Sequence, residues 1–141
     1  MKIKIVESGP SVEEYILLLQ TTGWEGMLNR SEDELENVIQ KSWYTVSAYS
    51  EENKIIGMGR IISDGVFQAL ICDLIVHPNY QHKKIGKTIL EKLIQRCKEK
   101  QILMIQLFSA KDKAEFYKKN GFVERPADAP GMRYIGTEIE S

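Results

Sequence analysis

Residues 76–90, VHPNYQHKKIGKTIL, join an apolar strand to an amphipathic helix through a polar loop. The run FQALICDLIV at 67–76 predicts the strand. Beyond the loop, apolar residues recur at helical spacing and form one stripe: Ile85, Ile89, Leu90, Leu93, Ile94 and Cys97. The run ILMIQLF at 102–108 then predicts a buried strand. A strand, a crossover helix and a second strand predict a parallel, right-handed unit.

The loop in this unit has the properties of an anion site. The first N–H groups of a helix have no partner within the helix, and the helix dipole adds positive potential there. Lys83, Lys84 and Lys87 concentrate positive charge at this point, and Gly86 removes a side chain where the helix begins. The residues therefore predict a phosphate-binding turn, although a solvated lysine-rich loop is an equally good interpretation. The P-loop pattern GxxxxGK[ST] and the dinucleotide pattern GxGxxG are both absent.

The N-terminal third predicts one strand and two helices. Residues 2–6 alternate in polarity, as half-buried strands do. Ser11 with Glu14, and Ser31 with Glu34, have the spacing of capping boxes, so each pair predicts a helix start. The first helix is expected to end near Gly23.

The middle of the chain predicts a hairpin, formed by strands at 43–50 and 55–62. Gly57 and Gly59 within the second strand indicate a close backbone approach or a bulge. A short helix over 111–120 and a final strand near 132–138 complete the order β-α-α-β-β-β-α-β-α-β. The chain is thus expected to be one α/β domain over residues 1–141, with helices on both faces of a mixed sheet.

The bulk properties restrict the class of protein. The 141 residues suit a single core, and 19 basic side chains nearly balance 20 acidic ones, which argues against nucleic-acid binding. No apolar run suits a signal peptide or a membrane span, so no membrane partner is expected. Cys72 and Cys97 lack metal-site or disulfide spacing. They predict reduced cysteines in a cytoplasmic protein without a metal.

The same loop resembles the acetyl-CoA-binding motif of the GNAT N-acetyltransferase superfamily, whose pattern here is Gln/Arg-x-x-Gly-x-Gly/Ala. Gln81 and Gly86 match the ends of the pattern, whereas Lys84 replaces its first glycine and His82 stands where a further glycine is common. The preceding strand has the family form Asp-Leu-x-Val-x-Pro. Downstream, AEFYKKNGF at 114–122 is similar to the family's second signature, a tyrosine in a short helix that ends at Gly-Phe.

The resemblance implies a mostly antiparallel, twisted sheet whose central parallel pair separates to admit acetyl-CoA, the acetyl donor. It implies that the Leu74 N–H polarises the thioester carbonyl. It also implies a set of residues that hold the pantetheine arm and the pyrophosphate of the coenzyme: Ile75, Val76, Gln81, His82, Lys83, Lys84, Ile85, Gly86, Lys87 and Ser109. The family often has asparagine near Ser109, whose hydroxyl is expected to substitute. Lysine at position 84 would be strained if its φ were positive.

Tyr117, matched by position to the family tyrosine, is the expected general acid, since a phenol can protonate the leaving sulfur. Its alternative role is an aromatic packing residue. Asp73 is a carboxylate inside an apolar strand, and strand alternation places it with Ile71 and Ile75. We expect it either to take the proton of the amine, directly or through water, or to serve as a structural hydrogen-bond acceptor.

The acceptor is expected to be a small-molecule primary amine, with a protein N-terminus or lysine as the alternative. A non-catalytic acyl-CoA-binding module is the alternative from a different class, because Lys84 replaces a motif glycine and no glutamate base stands at position 70 or 72. A homodimer is compatible with the resemblance. Several residues are candidates to line the acceptor pocket: Trp24, Met27, Arg60, Met132 and Tyr134.

Overall fold

The computed structural model describes residues 2–136. The strands are β1 (Lys4–Val6), β2 (Tyr44–Tyr49), β3 (Ile55–Ser63), β4 (Gln68–Val76) and β5 (Met104–Leu107). The helices are α1 (Val12–Leu19), α2 (Glu25–Leu28), α3 (Glu32–Gln40), α4 (Ile85–Glu99) and α5 (Ala114–Lys119), with a 3₁₀ turn at Pro78–Tyr80. Within residues 2–136, no helix combines the length and the apolar character that a membrane span needs.

The five strands form one mixed sheet in the order β1-β2-β3-β4-β5. The first four strands pair antiparallel, and β4 pairs with β5 in parallel. The predicted parallel unit is therefore confirmed. The strand predicted within 102–108 is confirmed as β5, but its predicted burial is wrong, because β5 lies at the edge of the described sheet and Met104 is 41% exposed.

Helices cover both faces of the sheet, as predicted. On one face, Ile89 and Leu93 of α4 pack with Val46 and Ile61 of the sheet. On the other face, Leu18 of α1 and Leu35 of α3 belong to a second cluster with strand residues. Both predicted capping boxes are present and start α1 and α3. Caps therefore set the starts of these helices, and apolar burial against the sheet holds them in place.

Gly57 and Gly59 allow α4 to approach the sheet closely. A Cβ atom on Gly59 would lie 2.8 Å from the Leu93 Cδ1 atom and 2.9 Å from the Ile89 Cγ2 atom. On Gly57 it would lie 3.0 Å from the Ile89 Cδ1 atom. These distances confirm the predicted close approach. They also explain why the middle of β3 carries no side chain beneath the helix.

Replacing Gly59 with alanine is expected to lower the free energy of unfolding by about 1–3 kcal/mol, because α4 must move outward to make room for the methyl group. Chemical denaturation followed by circular dichroism measures the change. Gly26→Ala is the matched control, since nothing lies within 4 Å of a Cβ atom at that position. Equal stability of the two variants would contradict the prediction.

Three other features of the secondary structure differ from the sequence prediction. Helix α1 ends at Leu19 rather than near Gly23, because Thr21 and Thr22 turn their hydroxyl groups back to the carbonyl groups of Leu18 and Leu19. The four-residue helix α2 was not predicted. No strand forms over 132–136, where the backbone is irregular, and positions 137 and 138 lie outside the described residues.

Candidate active site

The pairing between β4 and β5 ends midway along β4. Their parallel pairing runs from Gln68 opposite Met104 to Ile71 opposite Leu107, where β5 ends. Strand β4 continues to Val76 and is paired there only with β3. One side of its C-terminal half is consequently left without a strand partner in the described part of the chain. This gap gives an extended ligand a backbone to lie against.

A β-bulge marks the point where the gap begins. Met58 pairs with Ile75 and Arg60 pairs with Cys72, so β4 has one residue more than β3 over this interval. Asp73 lies in the bulge with φ of 51°. The extra residue reverses the alternation: Ile71 belongs to the cluster under α4, whereas Ile75 belongs to the cluster under α1. The prediction that Asp73, Ile71 and Ile75 share a face by regular alternation is therefore wrong.

Beyond the bulge, the peptide groups of alternate residues point in opposite directions. The His77 N–H donates to the Ile56 carbonyl at 2.8 Å, and the Ile75 carbonyl likewise faces β3. The N–H and C=O groups of Val76 therefore face the gap. Gln81 Nε2 donates to the Val76 carbonyl at 2.8 Å. The geometry thus places Val76 beside the gap, but it does not support Ile75 as a backbone partner. Leu74 directly follows Asp73 in the bulge, and the role of its N–H stays a prediction.

The chain enters α4 without a cap. Lys84 stands at the N-cap position with no side-chain hydrogen bond, and the first turn of α4 contains no acidic residue. In contrast, α1 and α3 each have a capping box and acidic residues in the first turn. The first N–H groups of α4, beginning at Ile85, thus keep their capacity to bind an anion. A Cβ atom on Gly86 would meet only ordinary contacts, the shortest being 3.4 Å.

Two residues of the preceding turn adopt the left-handed conformation that favours glycine. His82 and Lys84 both have φ of 63°. These are the positions where the GNAT motif commonly has glycine, so the strain that the sequence predicted for Lys84 under a positive φ applies to both residues. The side chains of His82, Lys83 and Lys84 are exposed. The Lys87 side chain, in contrast, has partners within the protein: its ammonium group lies 3.4 Å from Asn120 Oδ1 and 3.3 Å from Glu91 Oε1.

Glycine at position 82 or 84 is expected to raise the free energy of unfolding by about 0.5–1 kcal/mol, because relief of the left-handed strain exceeds the added entropy of the unfolded chain. Thermal unfolding of His82→Gly and Lys84→Gly measures the effect. Lys83→Gly is the control, since Lys83 has no positive φ and glycine there only adds entropy to the unfolded state. A loss of stability in all three variants would contradict the prediction.

A cavity of about 820 Å³ lies beside β5 and α5. Tyr117 and Ser109 line it, with Phe108 and Val123 at its exposed rim. The Tyr117 ring packs edge-on against Phe116 and Phe122, at centroid separations of 5.1 and 5.9 Å. Burial raises the pKa of the Tyr117 phenol, which therefore keeps its proton at neutral pH. The Ser109 hydroxyl donates to the Ala110 carbonyl at 2.9 Å.

Asp73 does not stand alone in the apolar strand. Its Oδ2 atom accepts a hydrogen bond from the Tyr15 hydroxyl at 2.6 Å and one from Arg60 Nε, also at 2.6 Å. Burial, reinforced by the Asp73 carboxylate, raises the pKa of Tyr15 well above its ordinary value. Arg60, a candidate for the acceptor pocket by sequence, is instead an ion-pair partner in the sheet.

Sequence reasoning missed Tyr15 as the second partner of Asp73. The available signal was a tyrosine on the apolar stripe of α1, since a buried phenol needs a hydrogen-bond partner. An arginine in the strand next to that of a buried aspartate was a second signal. The arrangement as a whole combines a strand with unpaired backbone groups, an uncapped helix N-terminus and a protonated phenol near the end of β5.

Comparison with known proteins assigns this architecture. The chain belongs to the GNAT family, because the acetyltransferase (GNAT) domain matches residues 14–133. It is 31% identical to an uncharacterised N-acetyltransferase, ycf52, of Pyropia yezoensis, over 82% of this chain and 66% of the relative. It is 34% identical to the histone acetyltransferase TAP1 of Glycine max, over 91% of this chain and 59% of the relative.

Among solved structures, a GNAT family acetyltransferase from Streptococcus pneumoniae, SP0256, has a TM-score of 0.81 and 26% identity. That match covers 97% of this chain and 100% of the neighbour. The chain spans about 66% and 59% of the length of the two curated relatives named above.

Proposed function

We propose that the chain is an N-acetyltransferase that moves the acetyl group of acetyl-CoA to a primary amine of a small molecule. Two neighbouring features carry this proposal. The pairing between β4 and β5 ends at Ile71, and the next helix along the chain, α4, begins with uncapped N–H groups. An extended thioester arm fits the strand gap, and a pyrophosphate fits the helix N-terminus. No metal is required by this chemistry, and among residues 2–136 no group of His, Cys, Asp and Glu suits one.

The donor supplies a thioester whose carbonyl carbon the amine attacks directly. The C–N bond forms, the C–S bond breaks, the nitrogen loses one proton to water, and the products are an acetamide and the free thiol. The Leu74 N–H would hold the carbonyl oxygen as negative charge develops on it. Tyr117 would give its phenolic proton to the sulfur and regain one from solvent. The backbone from Gln81 to Lys87 would hold the pyrophosphate, with Val76 and Ser109 beside the pantetheine arm.

A second candidate is acetylation of a lysine or N-terminus of a protein. The rim of the cavity favours it, because Phe108 is 71% exposed and Val123 is 89% exposed, so the cavity is open to a chain laid across it. The relative named as a histone acetyltransferase is consistent with this candidate. We also propose a cytoplasmic location, which rests on the two free cysteines.

Calorimetric titration with coenzyme A, followed by thiol release from acetyl-CoA, tests the proposal. Turnover with an amine from a small-molecule library supports the first candidate, and turnover with peptides alone supports the second. Coenzyme binding without turnover on any amine or peptide indicates a non-catalytic acyl-CoA-binding module. Failure to bind coenzyme A would refute the assignment of the donor site.

A further inference from the structure

The bulge in β4 holds an aspartate in the left-handed conformation, which is uncommon for residues other than glycine. Asp73 has φ of 51°, in the left-handed region where a Cβ atom crowds the backbone. Such a residue persists only when its surroundings fix it in place. The sheet alone does not do so, because the pairing between β3 and β4 is interrupted between Met58 and Arg60.

The Asp73 side chain supplies the missing constraint. It is 3% exposed, and its Oδ2 atom is bound at 2.6 Å both by the Tyr15 hydroxyl of α1 and by Arg60 Nε of β3. One partner comes from the helix above the sheet and the other from the neighbouring strand. Two charge-assisted hydrogen bonds from separate elements therefore fix the carboxylate in two directions.

The residue that follows is the one assigned to the developing oxyanion. The orientation of the Leu74 N–H depends on the peptide plane between residues 73 and 74, and hence on the backbone of Asp73. We propose that Tyr15 and Arg60 are positioning residues that, through the Asp73 carboxylate, aim the Leu74 N–H at the thioester carbonyl. The inference rests on the proposed acetyltransferase function.

The same contacts argue against Asp73 as the proton acceptor. Both hydrogen bonds stabilise the carboxylate through Oδ2, and the side chain is almost fully buried. That burial leaves an incoming amine little access to either carboxylate oxygen. In the proposed mechanism the proton of the amine therefore passes to water, and Asp73 acts through the backbone that it holds.

The first test is Tyr15→Phe, which removes one hydrogen bond without altering Asp73. We expect kcat to fall about 5- to 20-fold, with the KM for acetyl-CoA changed less than about 2-fold. The reason is that a misdirected Leu74 N–H group weakens binding of the transition state and not of the ground state. Tyr49→Phe is the matched control: it removes a tyrosine–carboxylate hydrogen bond to Glu14, at 2.9 Å. Equal effects of Tyr15→Phe and Tyr49→Phe on kcat would overturn the inference.

The second test separates positioning from base catalysis. Asp73→Asn is assayed with amines of different basicity, including hydroxylamine-type acceptors that are unprotonated at neutral pH. If Asp73 is a positioning residue, kcat falls about 10- to 100-fold, and the factor is the same for every acceptor. The pH profile near neutrality stays unchanged. A loss confined to the basic amines, or the disappearance of an ionisation from the pH profile, would identify Asp73 as the base and overturn the inference.

A measurement independent of turnover separates this inference from the proposed function. In ¹⁵N-labelled Tyr15→Phe, we expect the Leu74 amide resonance to shift, while those of residues 81–87 stay in place. An unmoved Leu74 resonance would overturn the inference even if the enzyme were active. A wild-type chain that binds coenzyme A but acetylates nothing would refute the proposed function, and the Leu74 resonance would still decide whether the network holds the bulge.

Discussion

Tyr117→Phe is expected to lower kcat by about 10²-fold or more, because it removes the proton that the leaving sulfur receives in the proposed mechanism. The packing of the ring does not depend on its hydroxyl, since Phe116 and Phe122 contact the ring itself. Coenzyme binding should accordingly stay within about 2-fold of wild type. Steady-state thiol release gives kcat, and calorimetry gives the Kd for coenzyme A.

The pH profile provides a second check on Tyr117. Burial raises the pKa of the phenol, so the acid form persists to higher pH than in a free tyrosine. Activity that depends on this proton is therefore complete near neutrality and is lost only as the pH rises through the raised pKa of Tyr117, above the ordinary pKa of a free tyrosine. Tyr44→Phe is the control, because its hydroxyl is bound to Glu7, remote from the cavity. A Tyr117→Phe enzyme with wild-type kcat would reduce Tyr117 to a packing residue.

Asp73→Ala is expected to lower the free energy of unfolding by about 3–5 kcal/mol, since it leaves the mostly buried Arg60 guanidinium without its counterion. The buried Tyr15 hydroxyl loses its acceptor in the same step, which adds to the loss. A domain of this size has a total stability of only about 5–15 kcal/mol. Urea denaturation followed by circular dichroism therefore detects the change without difficulty.

A double variant shows whether the loss comes from the stranded charge. Asp73→Leu with Arg60→Met replaces the ion pair by apolar side chains, which often restores stability or increases it. Recovery of the part of the loss that comes from the unpaired Arg60 charge is the expected result, while the Tyr15 hydroxyl still lacks its acceptor. If the free energy of unfolding of Asp73→Ala lay within about 1 kcal/mol of the wild-type value, the contacts of Asp73 with Tyr15 and Arg60 would not be what holds this part of the sheet.

Local patterns in the sequence predicted the parts of the fold that short-range chemistry determines. The capping boxes at Ser11 and Ser31 located two helix starts, since each box satisfies backbone donors with residues three positions apart. The glycines of β3 indicated a close backbone approach or a bulge, and the structure has α4 close to both glycines and a register shift beside Gly59. The helix α2, in contrast, is four residues long and has no side-chain cap, so it leaves no periodic signal.

The geometry of the site could not be predicted in the same way. Period-two alternation predicts facing only while pairing is regular, and the extra residue near Asp73 moves Ile75 to the opposite face from Ile71. The partner of Asp73 on α1 is 58 positions away in the chain, so only the folded structure brings the two together. The place of the loop was easier to predict, because the start of α4 follows from local sequence, whereas the binding role of the loop stays a prediction.

The Gln81 side chain has a consequence for the polarity of the gap between β4 and β5. It satisfies the Val76 carbonyl, so at that residue the N–H is the backbone group left for a ligand, and the uncapped start of α4 adds further N–H groups. Carbonyl and phosphate oxygens complement N–H groups, whereas a cationic amine is not attracted to them. In the proposed reaction this polarity would draw the oxygen-rich donor into the gap and leave the amine to approach from outside.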